Sequence, residues 1–79
     1  MNISDLRRAF IDYANDITFS FNGETCGVFQ TVKDSIPTYS AWYGDINKKY
    51  HDTDVLMKDP FFGGMSLEDI ADKVEIQCY

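Results

Sequence analysis

Carboxylates are the residues with the greatest capacity for chemistry in this chain, and they are unevenly distributed. The 79 residues contain 13 Asp and Glu against 7 Lys and Arg, which gives a net charge of −6 at pH 7. Residues 1–51 carry six acids and five bases, whereas residues 52–79 carry seven acids and two bases. Almost all the excess negative charge therefore lies on the last 28 residues. This balance favours basic partners and disfavours nucleic acid and anionic membranes.

The acidic candidates for partner binding lie on two predicted helices near the carboxyl end of the chain. Glu68, Asp72 and Glu75 are spaced by four and three residues, which predicts one exposed stripe on the second helix. Carboxylates along a helix can occupy the positions of phosphates and accept hydrogen bonds from Lys and Arg. The alternative is a solvated surface that keeps a small protein soluble. The acidic candidates are Asp52, Asp54, Glu68, Asp69, Asp72 and Glu75.

Aromatic side chains form a second group of candidate binding residues. In the predicted strand TYSAWY, Tyr39 and Tyr43 point to one side and Trp42 points to the other. One side of a sheet has to cover the helices, so one of these two sets is expected to be exposed. Exposed Trp and Tyr are frequent anchors of protein interfaces. Trp42 and Tyr43 are therefore candidate partner-binding residues.

Catalytic, metal and cofactor sites have little support in the sequence. His51 is the single histidine, and Asp52 beside it could orient the ring as a general base. No recognisable motif places a Ser or Cys nucleophile near it, so a surface or capping role is favoured. The segment DTDVLMKD lacks the alternating ligands and central glycine of a calcium loop, and no glycine-rich phosphate loop, HExxH or CxxC motif occurs. These observations predict a protein without enzymatic activity, bound metal or cofactor.

The first half of the chain predicts one helix and a β-hairpin. Ser4 is the predicted cap of the helix. Strict alternation of apolar and polar residues in ITFSFN, followed by Asn22-Gly23, predicts a hairpin from about residue 17 to 32 with a type I′ turn. The apolar stripe of the helix consists of Ile3, Leu6, Phe10 and Tyr13.

The second half predicts two further strands and two short helices. Residues 33–37 are expected to form a loop because Pro37 cannot donate to a ladder. The strands TYSAWY and INKKY follow, and Asp52 or Thr53 then caps a helix that Asp59-Pro60 ends. Ser66 and Asp69 approximate a capping box for a second helix, which presents Leu67, Ile70, Ala71 and Val74 on its apolar side.

These elements predict an α+β fold in a single domain of residues 1–79. It has an N-terminal helix, a three- to four-stranded antiparallel sheet and two short C-terminal helices, and the tail EIQCY either extends the last helix or forms an edge strand. The start of the chain lacks the apolar stretch of a signal peptide, and no window has the length of a membrane span, which predicts a cytoplasmic protein. Cys26 and Cys78 are expected to be thiols, with a disulfide as the alternative.

Two stretches, FSFNGETCGVF and VLMKDPFFGGMSLEDIADKVE, together resemble small uncharacterised proteins encoded by phages and mobile elements of Firmicutes. The opening MNISDL is also similar to the start of some anti-CRISPR proteins, which are small acidic inhibitors of RNA-guided nucleases. The resemblance implies a phage protein that acts in a bacterial host cell. The pattern that carries the first resemblance consists of Asp59, Pro60, Phe62, Gly64, Ser66, Leu67, Asp69, Ile70 and Asp72.

The function predicted from these observations is that of a non-enzymatic, acidic interaction protein. It is expected to inhibit a host nucleic-acid-handling protein, such as an RNA-guided nuclease, by binding a basic protein surface without contacting nucleic acid directly. The alternative is a structural or assembly module that forms a homodimer through a sheet edge or an aromatic patch.

Overall fold

The computed structural model describes residues 2–12 and 15–78 and has an α+β fold. All strand pairs are antiparallel, in the order β4-β3-β2-β1-β5. The α+β prediction is confirmed, but the sheet has five strands because the tail pairs with β1 instead of extending a helix. The elements are α1 (Ile3–Ile11), β1 (Ile17–Phe21), β2 (Glu24–Lys33), β3 (Ile36–Tyr43), β4 (Ile46–Tyr50), α2 (Thr53–Lys58), α3 (Leu67–Ile70) and β5 (Gln77–Cys78).

Two tight turns set the register of the sheet. Asn22 and Gly23 have φ angles of 55° and 75°, which confirms the predicted turn with positive φ at both positions. The loop predicted over residues 33–37 is wrong, because Asp34 and Ser35 alone make the next turn, with φ angles of 53° and 64°. Pro37 is instead part of β3. A proline is tolerated there because β4 pairs with β3 only from Tyr39 onwards, which leaves one side of the strand free.

The β2–β3 hairpin extends beyond its neighbours. β1 pairs with β2 only as far as Val28, and β4 pairs with β3 only as far as Tyr39. The tip of the hairpin is therefore a two-stranded ribbon of residues 29–33 and 36–38. Val32 and Ile36, on opposite sides of this ribbon, are 61% and 57% exposed.

The helices and the FFGG connector cover one side of the sheet, here called the inner face. α1 buries Leu6, Ala9 and Phe10, and the ring of Phe10 meets Tyr39 edge to face with 5.7 Å between centroids. Such contacts between large rings contribute more than the buried area alone. The strand residues buried on the inner face are Ile17, Phe19, Cys26, Val28, Tyr39, Ala41 and Tyr50, and they meet Leu56, Met57, Phe62, Leu67 and Ile70.

The start of α1 differs from its prediction. Asn2, not Ser4, is the cap, and its Oδ1 accepts a hydrogen bond of 2.8 Å from the backbone N–H of Asp5. The helix thus begins two residues earlier than Ser4 would allow. Ile3, which the predicted apolar stripe included, is consequently in the first turn and 42% exposed. Tyr13, the last residue of that stripe, lies outside the described residues.

Candidate functional site

Arg7 of α1 joins the first turns of α2 and α3. Nη1 of its guanidinium donates to the carboxylate of Asp54, and Nη2 lies 3.3 Å from Oε2 of Glu68. The side chain of Asp54 is 64% exposed, whereas that of Glu68 is 27% exposed. Two acidic candidates from separate helices are therefore brought together by a base from a third helix.

Two further acidic candidates cap these helices. Oδ1 of Asp52 accepts hydrogen bonds from the backbone N–H groups of Asp54 at 2.7 Å and Val55 at 3.3 Å, as predicted for the start of α2. The predicted capping box of α3 is also confirmed. The Ser66 N–H donates to Asp69 at 3.1 Å, and the Asp69 N–H donates to the Ser66 hydroxyl at 3.2 Å. Both carboxylates satisfy N–H groups that the helix itself leaves free.

The stripe predicted on one long helix is wrong. α3 ends at Ile70, so Glu75 lies outside any helix. Glu68 is on the helix, but its side chain is half-buried against Arg7. The chain has to reach the edge of β1 by Gln77, and a helix continuing to residue 75 would leave no length for this connection. Asp72 is exposed in the turn that follows α3. We define the acidic helical surface as Asp52, Asp54, Glu68, Asp69 and Asp72.

Local hydrogen bonds favour the ionised forms of two carboxylates of this surface, Asp54 and Asp69. The hydrogen bond from Arg7 lowers the pKa of Asp54, and the Ser66 backbone N–H lowers the pKa of Asp69. The pKa of Arg7 is raised, chiefly by its hydrogen bond to Asp54. Asp54 and Asp69 therefore retain their negative charge, and Arg7 retains its positive charge, at neutral pH.

The two aromatic candidates lie on opposite sides of the sheet. Tyr43 is half-buried with the inner-face residues, and its hydroxyl is 3.5 Å from Nδ2 of Asn22. Trp42 lies on the other side, where its indole covers Gly27 and packs against Phe29 with 4.6 Å between ring centroids. Phe29 is 52% exposed and is not among the residues that the sequence predicts to bind a partner. Phe29 pairs with Ser40 of β3, and Ser40 and Trp42 are neighbours on the same face of that strand. This register is the signal from which contact between the two rings could have been predicted.

The side of the sheet that bears Trp42, here called the outer face, faces away from the three helices. Its strand positions include two lysines and no carboxylate. Glu75 lies at its β5 margin, where it lines a groove of about 320 Å³ with Thr18, Ser20 and Thr25. The outer-face positions are Thr18, Ser20, Thr25, Gly27, Phe29, Thr31, Lys33, Ile36, Thr38, Ser40, Trp42, Asn47, Lys49 and Gln77.

His51, the candidate general base, is exposed at the end of β4. Its Nδ1 lies 3.3 Å from the Thr38 hydroxyl oxygen and 3.3 Å from the carbonyl oxygen of Pro37. These contacts tie the end of β4 to the start of β3, which is a structural role. Cys26 is buried, and its burial raises the pKa of its thiol, whereas Cys78 is exposed. Both cysteines are free, in agreement with the expected thiol state.

Within residues 2–12 and 15–78, no group of three or more His, Cys, Asp or Glu side chains is arranged to hold a metal ion. None of the helices in these two segments has the length and apolar character needed to cross a membrane. Comparison of the chain with models of protein families, with curated proteins and with solved structures finds no match.

Proposed function

We propose that this protein is a non-enzymatic inhibitor that binds a basic surface of a nucleic-acid-handling protein through its acidic helical surface. The observation that carries the proposal is the charge of this surface. Its five carboxylates come together around α2 and α3, and among the described residues Arg7 is the one cation that forms an ion pair with them. Lys58 and Lys73 lie close enough to act on Asp54 and Asp69 through their charge without an ion pair, so the surface retains a net negative charge.

Helix stability accounts for only part of this arrangement. Acids at the first turns of α2 and α3 interact favourably with the helix dipoles, and Asp52 also caps α2, while Asp69 completes the capping box of α3 with Ser66. Asp72 is different, because it follows the carboxyl end of α3, where the dipole favours a base. It is exposed, and it has no ion pair in the described part of the chain. Helix stability does not account for this carboxylate, which is available to a basic partner.

The partner chemistry follows from the sign and spacing of the charges. A groove that binds nucleic acid presents Lys and Arg to phosphates, and carboxylates can accept the same hydrogen bonds. A protein that occupies such a groove competes with nucleic acid and needs no reaction of its own. The resemblance to phage-encoded proteins supports an RNA-guided nuclease as the target and the cytoplasm of a bacterial host as the place of action.

The test neutralises the charge and keeps the caps. The triple variant Asp52→Asn, Asp69→Asn and Asp72→Asn retains side-chain oxygens that accept the capping hydrogen bonds, because Asn caps helices about as well as Asp. The variant is assayed for inhibition of DNA cleavage by a purified RNA-guided nuclease. Exposed charge pairs contribute about 0.2–1 kcal/mol each, so inhibition should weaken by about 3- to 150-fold. Inhibition by the wild type should also weaken as salt rises.

The matched control makes the same change in net charge away from the acidic helical surface. It replaces Asp12, Asp34 and Asp45, which are exposed at the end of α1 and in the two turns flanking β3, by Asn. Inhibition by the control should remain within about 3-fold of the wild type. An equal loss of inhibition in both variants would show a general effect of net charge. A folded test variant that inhibits as well as the wild type would refute binding through the acidic helical surface. No inhibition by the wild type would refute the nuclease as the target.

A further inference from the structure

We propose that the outer face of the sheet is the interface of a two-fold homodimer, packed face to face against the same surface of a second copy. This surface is separate from the acidic helical surface, so the dimer leaves two inhibitory surfaces free. Two sheets that pack in this way form a sandwich with about 10 Å between them.

The composition of the outer face is that of an interface core. Interface cores are depleted in charged residues and enriched in aromatic residues. The central strand β2 presents Phe29, and β3 presents Trp42 beside it, with hydroxyl and amide side chains around both. Lys33 and Lys49 are the charged residues at its strand positions, and both lie towards its periphery. An aromatic centre with charge at the rim is the pattern expected for a hot spot.

The outer face has the size of a small interface. Its 30 strand residues, at about 4.8 Å between strands and about 3.3 Å per residue, cover roughly 480 Å². Two such faces bury about 1,000 Å² in total, which is the lower limit for a specific interface. The molecule measures 36 × 25 × 21 Å, so the sheet supplies its two larger dimensions.

The distribution of charge favours a second copy in this position. The acidic helical surface is carried by the helices of the inner face, so a face-to-face dimer places the two negative surfaces on opposite outer sides. A two-fold axis along β2 also lays β4 of one protomer over β5 of its partner, which keeps the Lys49 side chains of the two copies apart.

The edges of the five-stranded part of the sheet are poor alternatives for self-association. The outer edge of β4 carries Lys48 and Lys49, and lysines on an edge strand oppose pairing with another strand. The opposite edge is β5, which has only two residues. Short edge strands are a second common device against edge pairing. The open face is thus the better route to a dimer.

The test measures the mass of the protein in solution and compares two matched variants. Sedimentation equilibrium of the full chain at micromolar concentration should give twice the 9.1 kDa of one protomer. Phe29→Glu should weaken the dimer by at least about 30-fold, as expected for loss of a hot-spot residue. The control Val55→Glu changes a residue of similar exposure, 54% against 52%, on α2, and it should remain a dimer.

A second variant and a spectroscopic signal distinguish loss of the dimer from loss of the fold. Thr31→Glu introduces a charge at an exposed outer-face position of β2 and should also shift the equilibrium to monomer while the circular dichroism is unchanged. Trp42 is the single tryptophan, so its emission should shift to shorter wavelength as the wild type dimerises. A wild-type protein that stays monomeric at 100 µM would overturn the proposal. Binding of a fluorescein-labelled single-stranded oligonucleotide by such a monomer, lost in Phe29→Glu, would assign the face to a different occupant.

Discussion

Replacing Gly27 by Ala tests how tightly the outer face is packed. Gly27 lies on β2 beneath the indole of Trp42. A Cβ built at this position would lie 2.5 Å from Cζ2 of Trp42 and 2.5 Å from the carbonyl oxygen of Ile17. Both distances are far below ordinary van der Waals contact. The indole can rotate away, but the carbonyl belongs to the backbone of β1 and cannot move without disturbing the β1–β2 ladder.

The expected cost follows from this geometry. Overpacking of a well-filled site costs about 1–3 kcal/mol. For a domain of this size, each kcal/mol lowers the melting temperature by about 4–8 °C. Gly27→Ala should therefore lower the melting temperature by about 4–24 °C. It should also shift the Trp42 emission, because the indole has to leave its position over the strand.

A double-mutant cycle separates the two contacts. Trp42→Ala removes the indole, so Gly27→Ala should cost less in that background, and the remaining cost is the contact with the Ile17 carbonyl. Both variants are measured by thermal and urea unfolding. A melting temperature within 1 °C of the wild type for Gly27→Ala would refute the close packing. Equal costs in the two backgrounds would show that the indole plays no part.

Three further predictions concern the helix ends and the core. Because hydrogen bonds lower the pKa of Asp69 below its ordinary value of 3.8, its contribution to folding stability is present above that value and lost as pH falls through the folded pKa. The urea midpoint should accordingly drop below about pH 4, and less so in Asp69→Asn. Ser66→Ala should cost about 1 kcal/mol in urea unfolding, whereas Ser4→Ala, at a position that caps nothing, should cost less than about 0.5 kcal/mol. Tyr50→Phe should cost about 1.5–3 kcal/mol, because Tyr50 is buried and donates to the ionised carboxylate of Asp59, and an unchanged midpoint would refute that bond.

The features predicted correctly from the sequence are those that neighbouring residues decide. Asn22 and Gly23 both tolerate positive φ, so the first turn follows from two positions. The capping box of Ser66 and Asp69 spans three positions and is equally local. Alternation along β3 also places Trp42 and Tyr43 on opposite sides correctly. In these three cases the physical cause lies within one turn or one strand, although the equally local cap of α1 was assigned to Ser4 and not to Asn2.

The features that were missed depend on distant parts of the chain. The ion pairs of Arg7 join residues 47 and 61 positions away, so no local pattern reveals them. The length of α3 is limited by the need of Gln77 to reach β1. The error at Pro37 has the same origin, because a proline excludes a strand only where a neighbour requires its N–H, and β4 ends before it. Pairing partners decide these features, and a single sequence does not name them.

The two-stranded ribbon at the tip of the β2–β3 hairpin has a consequence for motion. Isolated two-stranded hairpins are marginally stable in water, so the ribbon can open locally while the five-stranded part remains closed. Backbone amides of residues 31–33 should therefore exchange with deuterium much faster than those of residues 26–28, which lie between β1 and β3. The sheet thus combines a rigid five-stranded centre with a flexible two-stranded ribbon that carries Val32 and Ile36. The ribbon can adjust its shape on contact at little energetic cost, whereas the centre holds Trp42 in a fixed position.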